Sequence, residues 1–139
     1  MIRFRMAKIN INQFAILADK APTEGLSYTV NLGFGGAPNA KRIECVFSVE
    51  FVYNEKPILK LGISCEFDIQ PEDWDKCINN NILSISKKDL GFFANQTVGA
   101  ARGIMFCKTE GTDFWNFILP PIDLTKILDE DLTLNFTEK

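Results

Sequence analysis

The sequence contains no histidine. Histidine is the commonest general base and a member of the usual Ser and Cys triads, so its absence excludes most familiar arrangements for hydrolysis. The four cysteines are Cys45, Cys65, Cys77 and Cys107, and none belongs to a C-x-x-C pair. Without such a pair or a histidine, a zinc site is not expected. Cys45 and Cys65 alternate with apolar residues and are interpreted as core thiols.

The sequence also has no excess of basic residues and no long apolar run. Its formal net charge is −3, whereas a nucleic-acid-binding protein needs a basic patch to release counterions, so no nucleic-acid partner is predicted. No apolar run approaches the length of a membrane span. The first residues, Met1 to Arg5, lack the apolar core of a signal peptide. We therefore expect no membrane insertion and a cytoplasmic location.

What the sequence does have is strict alternation between Ile43 and Ile69. Apolar residues occupy the odd positions of two runs, 43–53 and 59–69. The segment Asn54-Glu55-Lys56-Pro57 between them is typical of a turn, because Asn tolerates a left-handed backbone and Pro fixes φ. Successive side chains of a strand point to opposite faces. The pattern therefore predicts an antiparallel hairpin with one buried face and one largely solvent-exposed face.

Two further strands are predicted before this hairpin. Residues 26–34 alternate cleanly. Between Phe4 and Leu17 the apolar phase changes twice, which is typical of a long strand with β-bulges, because each extra residue flips the pattern. We expect one domain, residues 1–139, whose strands cover about residues 3–69. An antiparallel meander is the simplest topology for them.

Helices are predicted in the second half of the sequence. Residues 70–88 are expected to form a long crossover, in which Pro71 opens a short helix that Asn79-Asn80-Asn81 stops. Apolar residues at helical spacing predict a long helix over 89–108, and a second, shorter helix is predicted over 122–132. The expected fold class is therefore α+β, with a four-stranded antiparallel sheet followed by a long crossover and two helices.

The middle of the long helix is built from small residues, among them Gly99, Ala100 and Gly103. Each glycine in a helix interior costs about 1 kcal/mol relative to Ala. Two glycines one turn apart therefore suggest that another backbone approaches closely there, either from the sheet or from a partner helix.

No motif is specific to an enzyme. Glu66 and Asp68 share one strand face and could act as a paired acid and base, but a solvated face is the better interpretation. The glycines from Gly33 to Gly36 lack the Lys-Ser/Thr of a phosphate loop. We predict that the protein is not an enzyme and uses no cofactor and no metal.

Large apolar residues are in surplus outside regular elements, notably Trp74 in the crossover and the run from Phe114 to Leu119. They could simply cap the sheet, because aromatic residues supply much of any core. They could instead line an exposed groove for apolar ligands or for extended polypeptide.

The ordered set of these elements resembles the SecB protein-export chaperone family, over about Arg5 to Leu128. The resemblance rests on four segments together. They are a bulged first strand beginning Arg5-Met6-Ala7-Lys8-Ile9-Asn10-Ile11, a hairpin ending Cys65-Glu66-Phe67-Asp68-Ile69, a helix opening Leu90-Gly91-Phe92-Phe93-Ala94, and Leu119-Pro120-Pro121-Ile122-Asp123-Leu124 before the second helix.

The resemblance implies a cytosolic, ATP-independent holdase that forms a homo-oligomer, either a dimer or a tetramer built as a dimer of dimers. It implies an oligomer interface on the first helix at Gly99, Ala100 and Gly103. It also implies that unfolded polypeptide clients bind in apolar grooves between the crossover, the second helix and the sheet. By position, the groove residues would be Phe67, Ile69, Trp74, Ile78, Phe117, Leu119 and Leu128.

The sequence departs from the family where export chaperones carry carboxylates that dock the translocase motor SecA. By alignment those positions hold Gln13, Leu17 and Lys60, and no tail for the motor's zinc domain is recognisable. These differences make SecA docking doubtful but leave the expected fold unchanged. The alternative functions are a dedicated adaptor or chaperone for one partner, such as an antitoxin, and an apolar-ligand-binding protein.

Overall fold

The computed structural model describes residues 1–137 and contains a four-stranded antiparallel sheet. Its strands are β1 (Phe4–Ile16), β2 (Leu26–Ala37), β3 (Arg42–Tyr53) and β4 (Lys56–Ile69), with a single 3-10 turn at Pro38–Ala40. The strand order is β1-β4-β3-β2. The predicted α+β class is confirmed.

The predicted meander is wrong for the first strand. Strands β2, β3 and β4 do form a meander, but β1 crosses to the far side and pairs with β4. The connecting residues 17–25 are long enough to reach either edge of the sheet, so local sequence does not decide between them. Pairing with β4 places the apolar side chains of β1 directly beside the buried apolar row of β4.

The predicted bulges in β1 are confirmed. The register with β4 shifts between Met6 and Lys8 and again between Ile11 and Gln13. Both shifts keep the apolar side chains on the core face of the sheet, because directly paired residues share a face. Ile9, for example, pairs with Cys65 and Ile11 pairs with Ile63, and both of those partners are core residues.

The predicted hairpin is confirmed, with a shorter turn than expected. Only Asn54 and Glu55 lie between the paired residues Tyr53 and Lys56, and their φ angles are 53° and 64°. Positive φ at both positions is the geometry of a type I′ turn, whose twist matches that of the flanking strands. Lys56 and Pro57 already belong to β4.

The second face of β4 is less exposed than predicted. Gly62 and Ser64 are buried, and Glu66 and Asp68 are half-buried. The cause is the central position of β4, which has β1 on one side and β3 on the other. Across this face Asn10 Nδ2 donates to Ser64 Oγ at 3.4 Å.

The crossover is regular rather than irregular. It begins with α1 (Pro71–Cys77) and continues as a tight hairpin of β5 (Ile78–Asn79) and β6 (Ile82–Ile85). Asn80 and Asn81 form its two-residue turn with φ angles of 52° and 61°. Asparagine tolerates this left-handed region better than most residues, so the asparagine run that ends the helix also makes the turn.

The long helix is α2 (Lys87–Lys108), close to its predicted bounds. Ser86 caps it, because its Oγ accepts a hydrogen bond from Asp89 N at 3.2 Å. Its buried face packs on β3 and β4 and forms the core with them. The buried residues of α2 are Leu90, Phe93, Ala94, Thr97, Val98, Ala101 and Met105.

The second predicted helix is wrong in most of its length. Helix α3 covers only Leu124–Ile127, and residues Leu132–Asn135 form a strand, β7, that pairs with β6 in a small sheet of order β5-β6-β7. A helix continued through Asp129-Glu130-Asp131 would place acidic side chains at its negative C-terminal end, which is unfavourable. The signal for a strand was the alternation of Leu132 and Leu134 with the polar residues Thr133 and Asn135.

Cys45 and Cys65 face each other across β3 and β4, and both are fully buried free thiols, as predicted. Burial raises the pKa of Cys45 to about 12. These cysteines therefore act as small apolar core residues rather than as reactive thiols.

Candidate functional site

Four of the seven predicted groove residues lie inside the core. Phe67, Ile69, Trp74 and Leu119 are each no more than 4% exposed. In this structure these four side chains do not line an open groove, and their part in client binding stays a prediction. Phe67 is a central strand residue whose ring packs at 5.0 Å from that of Phe93 in α2.

Trp74 is covered by the end of the chain. Its ring stacks on Phe136, with centroids 6.4 Å apart and planes inclined by 15°. Phe136 and Leu134 in turn close on Gly36 at the end of β2. A Cβ at Gly36 would lie 3.0 Å from Phe136 Cζ and 3.2 Å from Leu134 Cδ1. Only glycine allows this close approach without a shift of the neighbouring side chains.

The other three predicted groove residues, Ile78, Phe117 and Leu128, are half-buried and lie in different places. Leu128 lines a cavity of about 410 Å³ between α3 and the start of α2. Phe117 packs against Phe51, with ring centroids 5.4 Å apart. Ile78 pairs with Leu83 in the small sheet. The structure does not bring these three together in one cavity.

Gly99 and Gly103 of α2 are open to solvent. Apart from the adjacent residues and the backbone of the helix itself, no atom of the described chain lies within 4 Å of a Cβ built at either glycine. Together with Ala100 they line a shallow apolar cavity of about 440 Å³, whose far wall is Ile9 and Ile11 of β1. A close approach from the sheet is therefore excluded, and the approach of a partner helix to these glycines stays a prediction.

A second apolar surface lies beside this helix, and sequence reasoning anticipated only the part of it in the run Phe114–Leu119, without Phe106. Phe106, Trp115 and Ile118 are all exposed, and the rings of Phe106 and Trp115 lie 5.6 Å apart. The signal was the apolar run Phe114–Leu119, whose end residues point into the core while Trp115 and Ile118 point outward.

Arg102 anchors this apolar run to the helix. Its Nε donates to Leu119 O at 2.8 Å and its Nη2 donates to Pro120 O at 3.1 Å. The guanidinium thereby satisfies two carbonyl groups of an extended segment that has no strand partner for them.

Glu66 and Asp68 are held as carboxylates by their neighbours. Hydrogen bonds from Asn10 and Arg42 lower the pKa of Glu66, and those from Arg42 and Arg5 lower the pKa of Asp68. Arg42 lies between them, at 3.2 Å from Glu66 Oε1 and 2.8 Å from Asp68 Oδ1. These contacts favour the charged form of both carboxyl groups.

Within residues 1–137, no three potential metal-ligating side chains converge on one point. No helix of that range is both long enough and apolar enough to cross a bilayer. Lys60, at a position where an acidic docking residue would be expected, lies 3.6 Å from Glu50 Oε2. Leu17, another of those positions, is exposed.

No protein-family model matches the sequence, and no curated protein matches it. Among solved structures, the fold is similar to that of the Mycobacterium tuberculosis SecB-like chaperone Rv1957, solved in complex with a ChAD peptide from the Rv1956 HigA1 antitoxin. The TM-score is 0.51 at 14% identity, and the match covers 87% of this chain and 91% of that chain. This likeness shows a SecB-like fold.

A protein of unknown function from Streptococcus agalactiae also matches, with a TM-score of 0.41 and 15% identity over 98% of this chain and 99% of that chain.

Proposed function

We propose that this protein is an ATP-independent chaperone that binds extended, apolar polypeptide. The observation that carries the proposal is the fold, which is that of a SecB-like chaperone whose structure contains a bound antitoxin peptide. Exposed apolar side chains beside the long helix support it. Clustered apolar surface of this kind is typical of interaction sites for polypeptide.

The first contacts with a client are inferred to form along the run Phe114–Leu119. Trp115 and Ile118 are exposed there, Phe117 is half-buried between them, and Arg102 holds the backbone in place. For a client to reach the buried groove residues, the hydrogen bonds from Arg102 would have to break so that this segment moves away from the core. The four buried groove residues would then become accessible only in an opened conformation.

We further infer a homo-oligomer, a dimer or a tetramer, built through the open glycines of α2. Gly99, Ala100 and Gly103 present backbone and small side chains, and Ile9 and Ile11 extend the same apolar surface onto β1. Both isoleucines are about half exposed, at 47% and 48%. A second copy covering this surface would remove the cost of leaving them in water.

A dedicated chaperone for one partner, such as an antitoxin, is the second candidate function. The peptide bound to Rv1957 comes from an antitoxin, and that observation favours it. The residues Gln13, Leu17 and Lys60 argue against SecA as a partner. The inferred location is the cytoplasm, which rests on the family resemblance.

The test of the holdase function is suppression of aggregation. The protein is added, without nucleotide, to a chemically denatured model protein at near-stoichiometric ratio, and light scattering is followed after dilution of the denaturant. The expected result is a large reduction in scattering. Scattering that proceeds unchanged would rule out a general holdase.

Two matched substitutions locate the client surface. Ile118→Ser removes an exposed apolar side chain from the proposed surface, and Leu17→Ser removes one of similar exposure elsewhere, at 61% and 53% respectively. Ile118→Ser is expected to weaken suppression several-fold, whereas Leu17→Ser is expected to leave it unchanged. Equal effects would place the client elsewhere.

The dedicated-partner function makes a different prediction for the same unaltered protein. Purified from its native cytosol, it would carry one polypeptide partner, and it would leave the aggregation of generic clients unaffected. Recovery of many different polypeptides would contradict that alternative and favour the general holdase.

A further inference from the structure

The last strand of the described chain and the residue after it pair with β6 and pack against Trp74 and Gly36. We propose that residues 132–136 act as an internal competitor, which occupies the site formed by β6, Trp74 and Gly36 until a client segment with alternating large apolar side chains displaces it. This proposal rests on the proposed function, because it names how the binding of clients is regulated.

Residues 132–136, here called the tail, have the chemistry expected of such a client. Leu132, Leu134 and Phe136 are half-buried on one side, whereas Thr133 and Asn135 between them are exposed. Residues 132–137 contain no charged side chain. An extended, uncharged strand with one apolar row is the type of segment that adds to the edge of a sheet, where main-chain hydrogen bonds give affinity and alternate side chains fill pockets.

The site is shaped to receive two of these side chains. Leu134 pairs with the fully buried Leu83 of β6, and Phe136 stacks on the buried Trp74. Both side chains reach over Gly36, where the absence of a Cβ leaves the room that they need. A Cβ at Gly36 would force Phe136 and Leu134 to shift, so the glycine favours the close packing of the strand that lies over it.

Few hydrogen bonds hold the tail, although it covers side chains of the core. Strand β7 has four residue pairs with β6, and Phe136 N donates to Asn81 O at 2.8 Å. In addition, the Asp131 carboxylate accepts from Lys87 N at 2.8 Å. Among the described residues, no salt bridge joins residues 132–137 to the rest of the chain. A four-residue edge strand held by so few bonds is expected to be released locally at a lower free energy than that of global unfolding.

This arrangement explains why Trp74 is buried although the sequence marks it as a groove residue. Phe136 covers its ring, and a client would have to replace that contact. A protein whose tail is docked most of the time binds a competing segment more weakly, in proportion to the fraction of molecules in which the tail is released. Weakening the tail should therefore tighten client binding.

The test uses the full-length protein and a fluorescent peptide of residues 129–137, titrated by anisotropy. In the double variant Leu134→Ser, Phe136→Ser the internal tail loses both anchoring side chains. The peptide is expected to bind this variant at least tenfold more tightly than it binds the unaltered protein. Thr133→Ser, an exposed position of the same strand, is the matched control and should bind as the unaltered protein does.

Equal peptide affinity in the double variant and the unaltered protein would overturn the proposal, as would no peptide binding to either. The aggregation assay separates this outcome from failure of the proposed function. If the unaltered protein suppresses aggregation and the double variant suppresses it no better, the chaperone function stands and the internal competitor is refuted. If the peptide binds the double variant but neither protein suppresses aggregation, the docking site stands and the holdase function is refuted.

Discussion

The substitution Gly103→Leu should have opposite effects on the stability of the isolated subunit and on the stability of an oligomer. Gly103 is exposed on α2, and nothing in the described chain lies within 4 Å of a Cβ placed there. A glycine in a helix interior costs about 1 kcal/mol relative to a good helix former such as leucine or alanine. Gly103→Leu should therefore stabilise the isolated subunit by about 0.5–1 kcal/mol.

The same substitution should weaken an interface between helices. Overpacking a close contact costs about 1–3 kcal/mol at each site. In a symmetric interface the new side chain enters from both subunits, so the cost is about 2–6 kcal/mol. Because every 1.4 kcal/mol corresponds to a factor of ten, the dissociation constant should rise by at least about 30-fold.

The assay combines light scattering, which gives the mass in solution over a range of concentrations, with urea denaturation. Gly91→Leu is the matched control, since Gly91 is also helical and also open, but lies beside Leu124 at the other end of α2. The expected result is a smaller species for Gly103→Leu, with the stability of the subunit retained. An unchanged mass for Gly103→Leu, or an equal loss of mass for Gly91→Leu, would refute the reasoning.

Two further predictions concern the stability of the subunit. Asp73 accepts hydrogen bonds from Arg3 N and Nε at 2.8 and 2.9 Å, which lower its pKa to about 2, against about 3.9 in an unfolded chain. A lowered folded-state pKa contributes stability above about pH 4 that is lost as the pH falls towards 2. Asp73→Asn should therefore flatten the dependence of the free energy of unfolding in urea on pH across that range. The same pH dependence in both proteins would contradict this role of Asp73. Glu55 has a φ of 64°, a left-handed geometry that costs a non-glycine residue about 1 kcal/mol. Glu55→Gly should therefore raise the free energy of unfolding by about 0.5–1 kcal/mol. A loss of stability in this variant would show that the turn is not strained.

The elements that could be predicted from the sequence are those whose signal is local. The β3–β4 hairpin follows from alternation at every second residue, and α2 follows from apolar residues at helical spacing. The bulges of β1 were predictable for the same reason, because an extra residue shifts the apolar phase at that point. The burial of Cys45 and Cys65 followed from their place in the alternating rows.

The candidate site was harder to predict because it depends on which surfaces meet. Trp74 was singled out as an apolar residue of the crossover, but its environment is set by Phe136, more than sixty residues away in the sequence. No helix or strand was predicted beyond residue 132, so nothing suggested that this segment would return to cover the crossover. Ile118 was part of the same apolar run as Leu119, and only the path of the backbone separates the exposed side chain from the buried one.

The sequence by itself determined the type of most elements and one buried face of each, because periodicity is a property of neighbouring residues. Tertiary structure alone decided that β1 lies beside β4, that β7 pairs with β6, and that the glycines of α2 face solvent. These outcomes depend on which long-range pairing buries the most apolar surface, and residues that are distant in the chain contribute to that balance together.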